Sequence, residues 1–247
     1  MKPELKSMKF TLRPSKFDNR DFIYKSKPKE KVDLREWDSP VENQSFLGSC
    51  VGNAIANAYE SMLKRLYPEK FEELSRLFIY YNARYIEGTT TIDIGSYIRS
   101  GLQGVKTYGV CKESIWPYDV TKFDDAPSPE AYLDAGHRKI SNYYRLLTCD
   151  DAVQSLEDEV PVVVGMNIYD NFLMLDKENP NLKMPSMENT PLGGHAVCLV
   201  GYDLTTDMFL AKNSFGTEWG LNGYFWMPFD YVEYYAWELW NFDIYVD

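Results

Sequence analysis

The sequence predicts an α+β fold, in which a mainly helical half is followed by a mainly β half. Behind Cys50, apolar residues recur at helical spacing, and a second apolar helical pattern spans residues 74–85. Residues 161–168 then form a β-branched run that is typical of a buried strand. Helices that precede strands in this way form an α+β pattern.

The helical half contains three predicted helices. The first begins near Cys50 and buries one face, which is made by Val51, Ile55, Ala58, Met62 and Leu66. The second, residues 74–85, is ended by Gly88, and residues 94–105 are predicted to be a loop that enters the third. Two prolines in residues 126–129 indicate a segment that crosses to the other half of the chain.

The β half begins with a short predicted helix, residues 152–159, and the strand at residues 161–168. Residues 176–191 carry Asn, Pro and Lys with little periodicity, so we expect a surface loop there. The further predicted strands are residues 195–201, 208–212, 224–227 and 237–246.

Composition limits the classes of function. A chain of 247 residues is long enough for a full core, in one large domain or two closely packed ones. Its formal net charge of -11 argues against a nucleic-acid partner, because phosphate binding needs a basic surface. No apolar run is long enough to cross a bilayer, so we expect no membrane partner. We also expect no cofactor, since no motif in the chain indicates a cofactor-binding site.

Cysteines provide the first candidate for chemistry. The four are Cys50, Cys111, Cys149 and Cys198, and they show no CxxC spacing, so a zinc site is not indicated, while two disulfides remain possible. Cys50 follows a Gly- and Ser-rich loop at a predicted helix start, where unpaired N–H groups and the helix dipole stabilise a thiolate. From this stretch alone, a reactive nucleophile and a small buried thiol are equally compatible.

Two later stretches favour the reactive thiol. His195 lies at the mouth of an apolar, strand-like run, and Asn213 ends the next strand before a Gly-rich turn. The chain has only two histidines, and the other, His137, lies in a charged stretch that we predict to be on the surface. Taken singly, His195 also fits a hydrogen-bonded core histidine, and Asn213 fits an ordinary turn residue.

Four separated matches in one order, Gln44, Cys50, His195 and Asn213, resemble the papain family of cysteine peptidases. Residues 213–224, Asn-Ser-Phe-Gly-Thr-Glu-Trp-Gly-Leu-Asn-Gly-Tyr, closely match that family's segment around its catalytic asparagine. The resemblance covers nearly the whole chain, and several matches in the right order are far more specific than one.

The resemblance implies a papain-like two-lobe fold with the active site in a cleft between the lobes. Residues 32–128 would form a mainly helical lobe that carries Cys50. Residues 129–247 would form an antiparallel, β-barrel-like lobe that carries His195 and Asn213.

The resemblance also implies a role for each of the four residues. Cys50 is the nucleophile, and His195 takes the thiol proton and later gives it to the leaving amine. Asn213 holds the imidazole in the productive tautomer. The side-chain N–H₂ of Gln44 and the backbone N–H of Cys50 donate to the developing oxyanion. The expected activity is endopeptidase hydrolysis of polypeptides through a covalent acyl-enzyme, since the adjacent histidines used by cathepsin B-type exopeptidases are absent.

Two other functions use the same framework. A catalytically silent papain-like protein would bind peptides or a partner, but such proteins usually lose a reacting residue, and all four are present here. A thiol acyltransferase, for example a transglutaminating enzyme, uses the same Cys–His chemistry. Residues 213–220 favour the peptidase.

Substrate positions follow from the same resemblance. Gly95 and Ser96 match the pair whose backbone binds an extended peptide by strand addition. A second set of residues matches family positions near one substrate pocket, which binds the second residue before the scissile bond. The set is Tyr97, Ile98, Met166 and Gly194. The mostly apolar character of this set predicts an apolar substrate side chain, although core packing explains it equally well.

Three residues depart from the family pattern. Phe215 stands where members usually have a Trp that shields the Asn–His contact, and Val51 stands where a Trp usually follows the cysteine. Leu47 stands where secreted members carry a disulfide-bonded cysteine. Because residues 1–10 also lack the apolar core of a signal peptide, we expect a cytoplasmic or otherwise reducing compartment.

The N-terminal extension, residues 1–31, is rich in Lys and Pro. It is far shorter than the inhibitory propeptides of the resembled family and lacks their helical pattern. A disordered tail is one explanation. The other is that residues within it, around 17–24, pack over or near the cleft and act as an intramolecular inhibitor.

Overall fold

The computed structural model describes residues 28–247. Most of the N-terminal extension, including the expectation for residues 17–24, therefore lies outside the described residues. The helices of the described part are α1 (Cys50–Leu66), α2 (Arg76–Glu87), α3 (Ile98–Tyr108), α4 (Pro129–Ala135), α5 (Cys149–Glu157) and α6 (Phe229–Tyr235). The strands are β1 (Lys31–Asp33), β2 (Arg138–Leu146), β3 (Val162–Tyr169), β4 (Pro191–Asp203), β5 (Met208–Lys212), β6 (Tyr224–Pro228) and β7 (Ala236–Val246).

Helix α1 lies at the centre of the molecule. Every residue from position 51 to position 63 is buried, because α2, α3 and the sheet strand β4 all pack against the helix. The sequence predicted burial of one face only. Polar residues of the other faces are buried with partners: Asn53 donates to the Ser49 carbonyl oxygen (3.0 Å), and Glu60 accepts from the Leu74 N–H (2.6 Å). Leu66, which was predicted to join the buried face, is 48% exposed at the helix end.

The sheet is antiparallel throughout, in the order β2-β7-β3-β4-β5-β6, and β1 pairs with β4. Together with the helices it confirms the predicted α+β class. The sheet is open rather than closed into a barrel, because β2 and β6 form its two edges within residues 28–247. The division into two lobes near residue 128 stays a prediction.

The predicted strands are confirmed, and β4 is longer than the predicted residues 195–201. Its first residues pair with the end of β3, and its last residues pair with β1. Four of these elements were not predicted from the sequence: α4, α6, β1 and β2. Strand β2 lies at an edge of the sheet, pairs only with β7 and has several exposed residues, including Ser141, Asn142 and Arg145. Helix α6 is short and aromatic-rich, a composition with weak helix propensity.

One short pairing brings the start of α1 against the end of β5. Asn43 forms a bridge with Phe215, Gln44 N–H donates to the Ser214 carbonyl oxygen (2.8 Å), and Gly216 N–H donates to the Glu42 carbonyl oxygen (2.9 Å). This pairing places the residues just before Cys50 beside those just after Asn213. Within the described chain, none of the helices combines the length and the apolarity that crossing a membrane requires.

Candidate active site

Two neighbouring strands bring His195 and Asn213 together. Cys198 of β4 pairs with Lys212 of β5, so His195 lies before that pair and Asn213 directly after it. The His195 Nε2 is 2.8 Å from the Asn213 Oδ1. Because an amide oxygen only accepts hydrogen bonds, Nε2 carries the hydrogen, which leaves the lone pair of a neutral ring on Nδ1.

Aromatic rings surround this hydrogen bond. The His195 ring centroid is 5.1 Å from that of Phe215 and 5.7 Å from that of Phe172. Trp219 packs against both phenylalanines. This aromatic cluster restricts the access of water to the imidazole, and it includes Phe215, which stands where members of the resembled family usually have a shielding Trp. Phe172 and Trp219 were not predicted as part of the site. Phe172 lies in a short turn after β3, where no sequence periodicity indicated a role.

Cys50 is the first residue of α1, and its side chain is half-buried. The preceding Ser49 makes no side-chain capping bond. Instead its hydroxyl donates to the Tyr118 hydroxyl (2.5 Å), which in turn donates to the Gln44 carbonyl oxygen (2.9 Å). The first-turn N–H groups of α1 are therefore left without a Ser49 cap, and they form a site that favours negative charge.

Burial acts against charge on both candidate reacting groups. It raises the pKa of the Cys50 thiol, and hydrogen bonds from the backbone of Ala196, Val51 and Cys50 itself act in the opposite direction. Burial lowers the pKa of His195, while the hydrogen bond to Asn213 raises it. A proton moved from the thiol to the imidazole would create two opposite charges without changing the net charge.

The Gln44 amide is fixed at both ends. Its Nε2 donates to the Leu47 carbonyl oxygen (3.0 Å), and its Oε1 accepts from the Ser214 hydroxyl (2.5 Å). An amide N–H₂ has two hydrogens, so one remains for another acceptor. Gln44 lines the same groove as Cys50 and His195.

This groove, of about 650 Å³, contains Gln44, Cys50 and His195, with Asn213 behind the imidazole. Five of the predicted substrate positions also line it: Gly95, Ser96, Tyr97, Ile98 and Gly194.

Met166 does not line the groove. Its side chain is fully buried in the main core, whereas the preceding residue, Gly165, lines the groove. Consecutive strand residues face opposite sides, and the pairing of β3 with β7 shifts register between these two positions.

Two carboxylates in the groove were not predicted, Asp93 and Glu238. Both have partners in the protein. Asp93 accepts from the Gly48 N–H (3.0 Å), and Glu238 accepts from the Trp240 indole N–H (2.8 Å). Each is a single acidic residue far from Cys50 in sequence, so no local pattern could identify it.

A slightly larger depression, of about 740 Å³, lies within the loop residues 170–189. The predicted surface loop lines much of it. None of the four candidate reacting residues lies in it, so the smaller groove is the better candidate site. Over residues 28–247, no group of three or more His, Cys, Asp or Glu side chains is arranged to hold a metal ion.

The fold and this arrangement define a papain-like protein. The papain family cysteine protease profile matches residues 28–234, and the chain therefore belongs to the papain family. The resemblance inferred from the sequence is confirmed.

Individual relatives agree with this assignment. A peptidase C1-like protein of Acanthamoeba polyphaga mimivirus is 39% identical over 200 residues, covering 77% of this chain and 64% of its own. Chymopapain of Carica papaya is 26% identical over 221 residues, covering 84% of this chain and 58% of its own. The matched segments thus span less than two thirds of these curated relatives.

Solved structures show the same fold. Xylellain, a cysteine protease from Xylella fastidiosa, superposes with a TM-score of 0.79 at 34% identity, covering 94% of both chains. Procathepsin L 3 of Tenebrio molitor, at 23% identity, superposes with a TM-score of 0.69 over 87% of this chain and 71% of its own. The latter likeness concerns the fold alone.

Proposed function

We propose that the protein is a thiol endopeptidase that hydrolyses polypeptides. The observation that carries the proposal is the shared groove, in which Cys50, Gln44 and His195 meet, with the His195 Nε2 held 2.8 Å from Asn213. A nucleophile, a base with an oriented ring and an oxyanion donor are the three groups that acyl transfer through a thiol requires.

The proposed reaction starts with transfer of the Cys50 thiol proton to the His195 Nδ1. The thiolate sulfur then forms a bond to the scissile carbonyl carbon, and the carbonyl oxygen becomes an oxyanion facing the Gln44 side chain and the Cys50 backbone N–H. Collapse of this intermediate breaks the C–N bond, with the imidazolium proton going to the leaving amine. Water, deprotonated by His195, then hydrolyses the thioester and regenerates the thiol.

The groove supports a preference for an apolar side chain at the second residue before the scissile bond. Ile98, Gly165, Gly194 and Trp237 line the groove and contribute apolar surface to it. Glu238 is already engaged with Trp240 and lies 3.7 Å from the Arg145 guanidinium. A peptide library should therefore favour apolar over charged residues at that position. A preference for a basic residue would contradict this and would show that the Glu238 carboxylate is free to bind substrate.

An epoxide-type thiol-peptidase inactivator tests the proposed function. We expect one molecule of label per chain by mass spectrometry, lost in Cys50→Ala and kept in Cys149→Ala. Cys149 is a suitable control because it is also half-buried and free but does not line the groove. Peptide hydrolysis should disappear with the label. Labelling without hydrolysis, with amine incorporation instead, would favour the thiol acyltransferase. Absence of labelling both in the full chain and in a variant that lacks residues 1–27 would favour the silent peptide-binding protein.

Regulation and compartment complete the proposal. All four cysteines are free, which suits a reducing compartment.

The N-terminal extension acts as an intramolecular inhibitor in this proposal. A variant that lacks residues 1–27 tests it, because β1 and everything after it stay intact. Faster labelling of the truncated chain is expected, and an unchanged rate would remove the extension from the mechanism.

A further inference from the structure

The loop that carries Cys50 and the loop that would bind the peptide meet at one edge of the groove. A Cβ atom on Gly48 would lie only 3.2 Å from the Gly95 backbone nitrogen and 2.9 Å from the Asp93 Oδ1. The two loops are therefore packed backbone to backbone. No disulfide joins them, since Leu47 is not a cysteine and all four cysteines are free.

The Asp93 carboxylate connects the two loops. Both of its oxygens accept from the Gly48 N–H, at 3.0 and 3.2 Å. Its Oδ1 also accepts from the Tyr80 hydroxyl at 2.5 Å. That hydroxyl accepts in turn from the Gly95 N–H at 3.2 Å. One chain of hydrogen bonds thus runs from Gly48 through Asp93 and Tyr80 to Gly95.

Helix α2 provides a rigid support for this chain. Its residues Tyr80, Arg84 and Glu87 follow helical spacing and all hold the loop of residues 89–97. The buried Arg84 donates to the Thr90 carbonyl oxygen (2.6 Å) and stacks on the Tyr80 ring, 4.0 Å from its centroid. Glu87 accepts from the Tyr97 N–H (2.9 Å). Burial raises the pKa of Tyr80, so its hydroxyl stays protonated and able to donate to Asp93.

The position of Gly48 gives the connection a consequence for catalysis. Leu47, directly before it, orients the Gln44 amide through its carbonyl oxygen, and Cys50 follows two residues after it. Asp93 therefore holds the middle of a loop that carries both proposed oxyanion donors. Through Tyr80 it also holds Gly95 of the proposed peptide-binding pair.

We propose that Asp93 is a positioning residue of the peptidase reaction, which fixes the oxyanion-binding loop against the peptide-binding loop. This inference rests on the proposed function. The carboxylate does not touch the reacting atoms; it acts through Gly48 and Gly95. Misplacement of reacting groups by about 1 Å costs roughly 10²-fold in rate, so loss of the connection is expected to be visible in turnover.

Three variants test the proposal. The hydrolysis of a fluorogenic peptide by each variant is compared with its hydrolysis by the wild-type enzyme. Asp93→Ala should lower kcat/KM by about 10²-fold, with kcat reduced and KM raised. Asp93→Asn should retain most activity, because the amide oxygen accepts from both Gly48 and Tyr80. Asp125→Ala is the matched control, since this exposed aspartate of the same half has no side-chain hydrogen bond to any described residue, and it should behave as wild type.

Tyr80→Phe separates the effect on the peptide-binding loop from the effect on the oxyanion-binding loop. It removes the Tyr80 link to Gly95 while the Gly48–Asp93 hydrogen bonds remain, so KM should rise while kcat changes less than in Asp93→Ala. Alkylation by iodoacetamide, which uses neither the oxyanion site nor the peptide-binding loop, should persist in every variant. A purely structural role for Asp93 predicts instead that alkylation and hydrolysis change in parallel with the melting temperature.

The outcomes are distinguishable. If neither the wild-type protein nor the variant that lacks residues 1–27 hydrolyses the peptide or takes up the epoxide label, the proposed function is wrong. If the wild-type protein is active and Asp93→Ala keeps its kcat and KM, the positioning role is wrong. Asp93→Asn that is as impaired as Asp93→Ala would also overturn it. Retained activity in Asp93→Asn, together with a raised KM in Tyr80→Phe, supports the positioning role.

Discussion

The two sides of the groove hold their candidate residues by different means. On the Cys50 side, the loop before α1 is held by directional polar contacts from distant side chains, namely Asp93, Tyr118 and Ser214. On the other side, His195 and Asn213 are held by the pairing of β4 with β5 and by packed aromatic rings.

This difference has a physical consequence. A hydrogen bond is short and directional, so removing one partner from the loop displaces it with little loss of buried apolar area. Packing is shared among many atoms, so removing one ring from the aromatic cluster leaves a cavity and lowers stability. Substitutions on the Cys50 side should therefore affect rate more than stability, and substitutions on the His195 side should affect both.

The largest effect is expected for His195 itself. His195→Ala should lower kcat by about 10²–10⁴-fold, because the proposed base and acid is lost. Steady-state hydrolysis of a fluorogenic peptide measures this. His137→Ala is the control, since this second histidine is exposed as predicted. Equal losses in the two variants would contradict the assignment of His195.

Gln44→Ala tests the loop side. We expect kcat to fall by about 10²–10³-fold with little change in KM, because an oxyanion donor acts in the transition state. The melting temperature should change little. The exposed helix residue Gln103, replaced by Ala, serves as the control. A large rise in KM at constant kcat would instead make Gln44 a substrate-binding residue.

Phe172→Ala tests the packed side. Phe172 is fully buried and contacts His195, Phe215 and Trp219. Loss of a buried Phe side chain typically costs about 3–5 kcal/mol, so the free energy of unfolding in urea should fall by that order, and kcat should fall with it. Phe172→Leu should have a free energy of unfolding and a kcat between those of the wild type and those of Phe172→Ala. A variant with reduced kcat and unchanged stability would contradict the distinction between the sides.

The smallest effect concerns the point where the two sides meet behind the groove. Lys212, next to Asn213, donates to the Ser39 carbonyl oxygen (2.8 Å), and the Ser39 hydroxyl donates to Glu60 of α1 (2.5 Å). Burial raises the pKa of Glu60 to about 7 from an ordinary value of 4.5. The folded state therefore binds a proton more tightly than the unfolded state does. The resulting stability is present at low pH and is lost as the pH rises towards 7.

Glu60→Gln removes this titration. Between pH 4.5 and pH 7, the free energy of unfolding of wild type should fall relative to the variant, by at most about 1.4 kcal/mol per pH unit for one proton. Urea unfolding at pH 5 and pH 7.5 measures the difference. A constant difference between the two proteins across this range would show that Glu60 does not titrate there.

Much of the fold was predictable from local patterns. The helices behind Cys50 and through residues 74–85 have strong apolar periodicity, and Gly88 ends the second in the left-handed conformation. The buried strand of residues 161–168 has a β-branched run. Strand β2 was not predictable, since a strand with one exposed face at a sheet edge carries a mixed pattern that also fits a surface segment.

The sequence by itself determined the family, the α+β class and the order of the four candidate residues, because a motif records which chemical groups are present and in what order. Only the tertiary structure decided which residues surround them. Gly165 rather than Met166 lines the groove, Phe172 covers His195, and Asp93 holds Gly48. These contacts join positions far apart in the chain, and strand register and loop packing select them, so no local pattern encodes them.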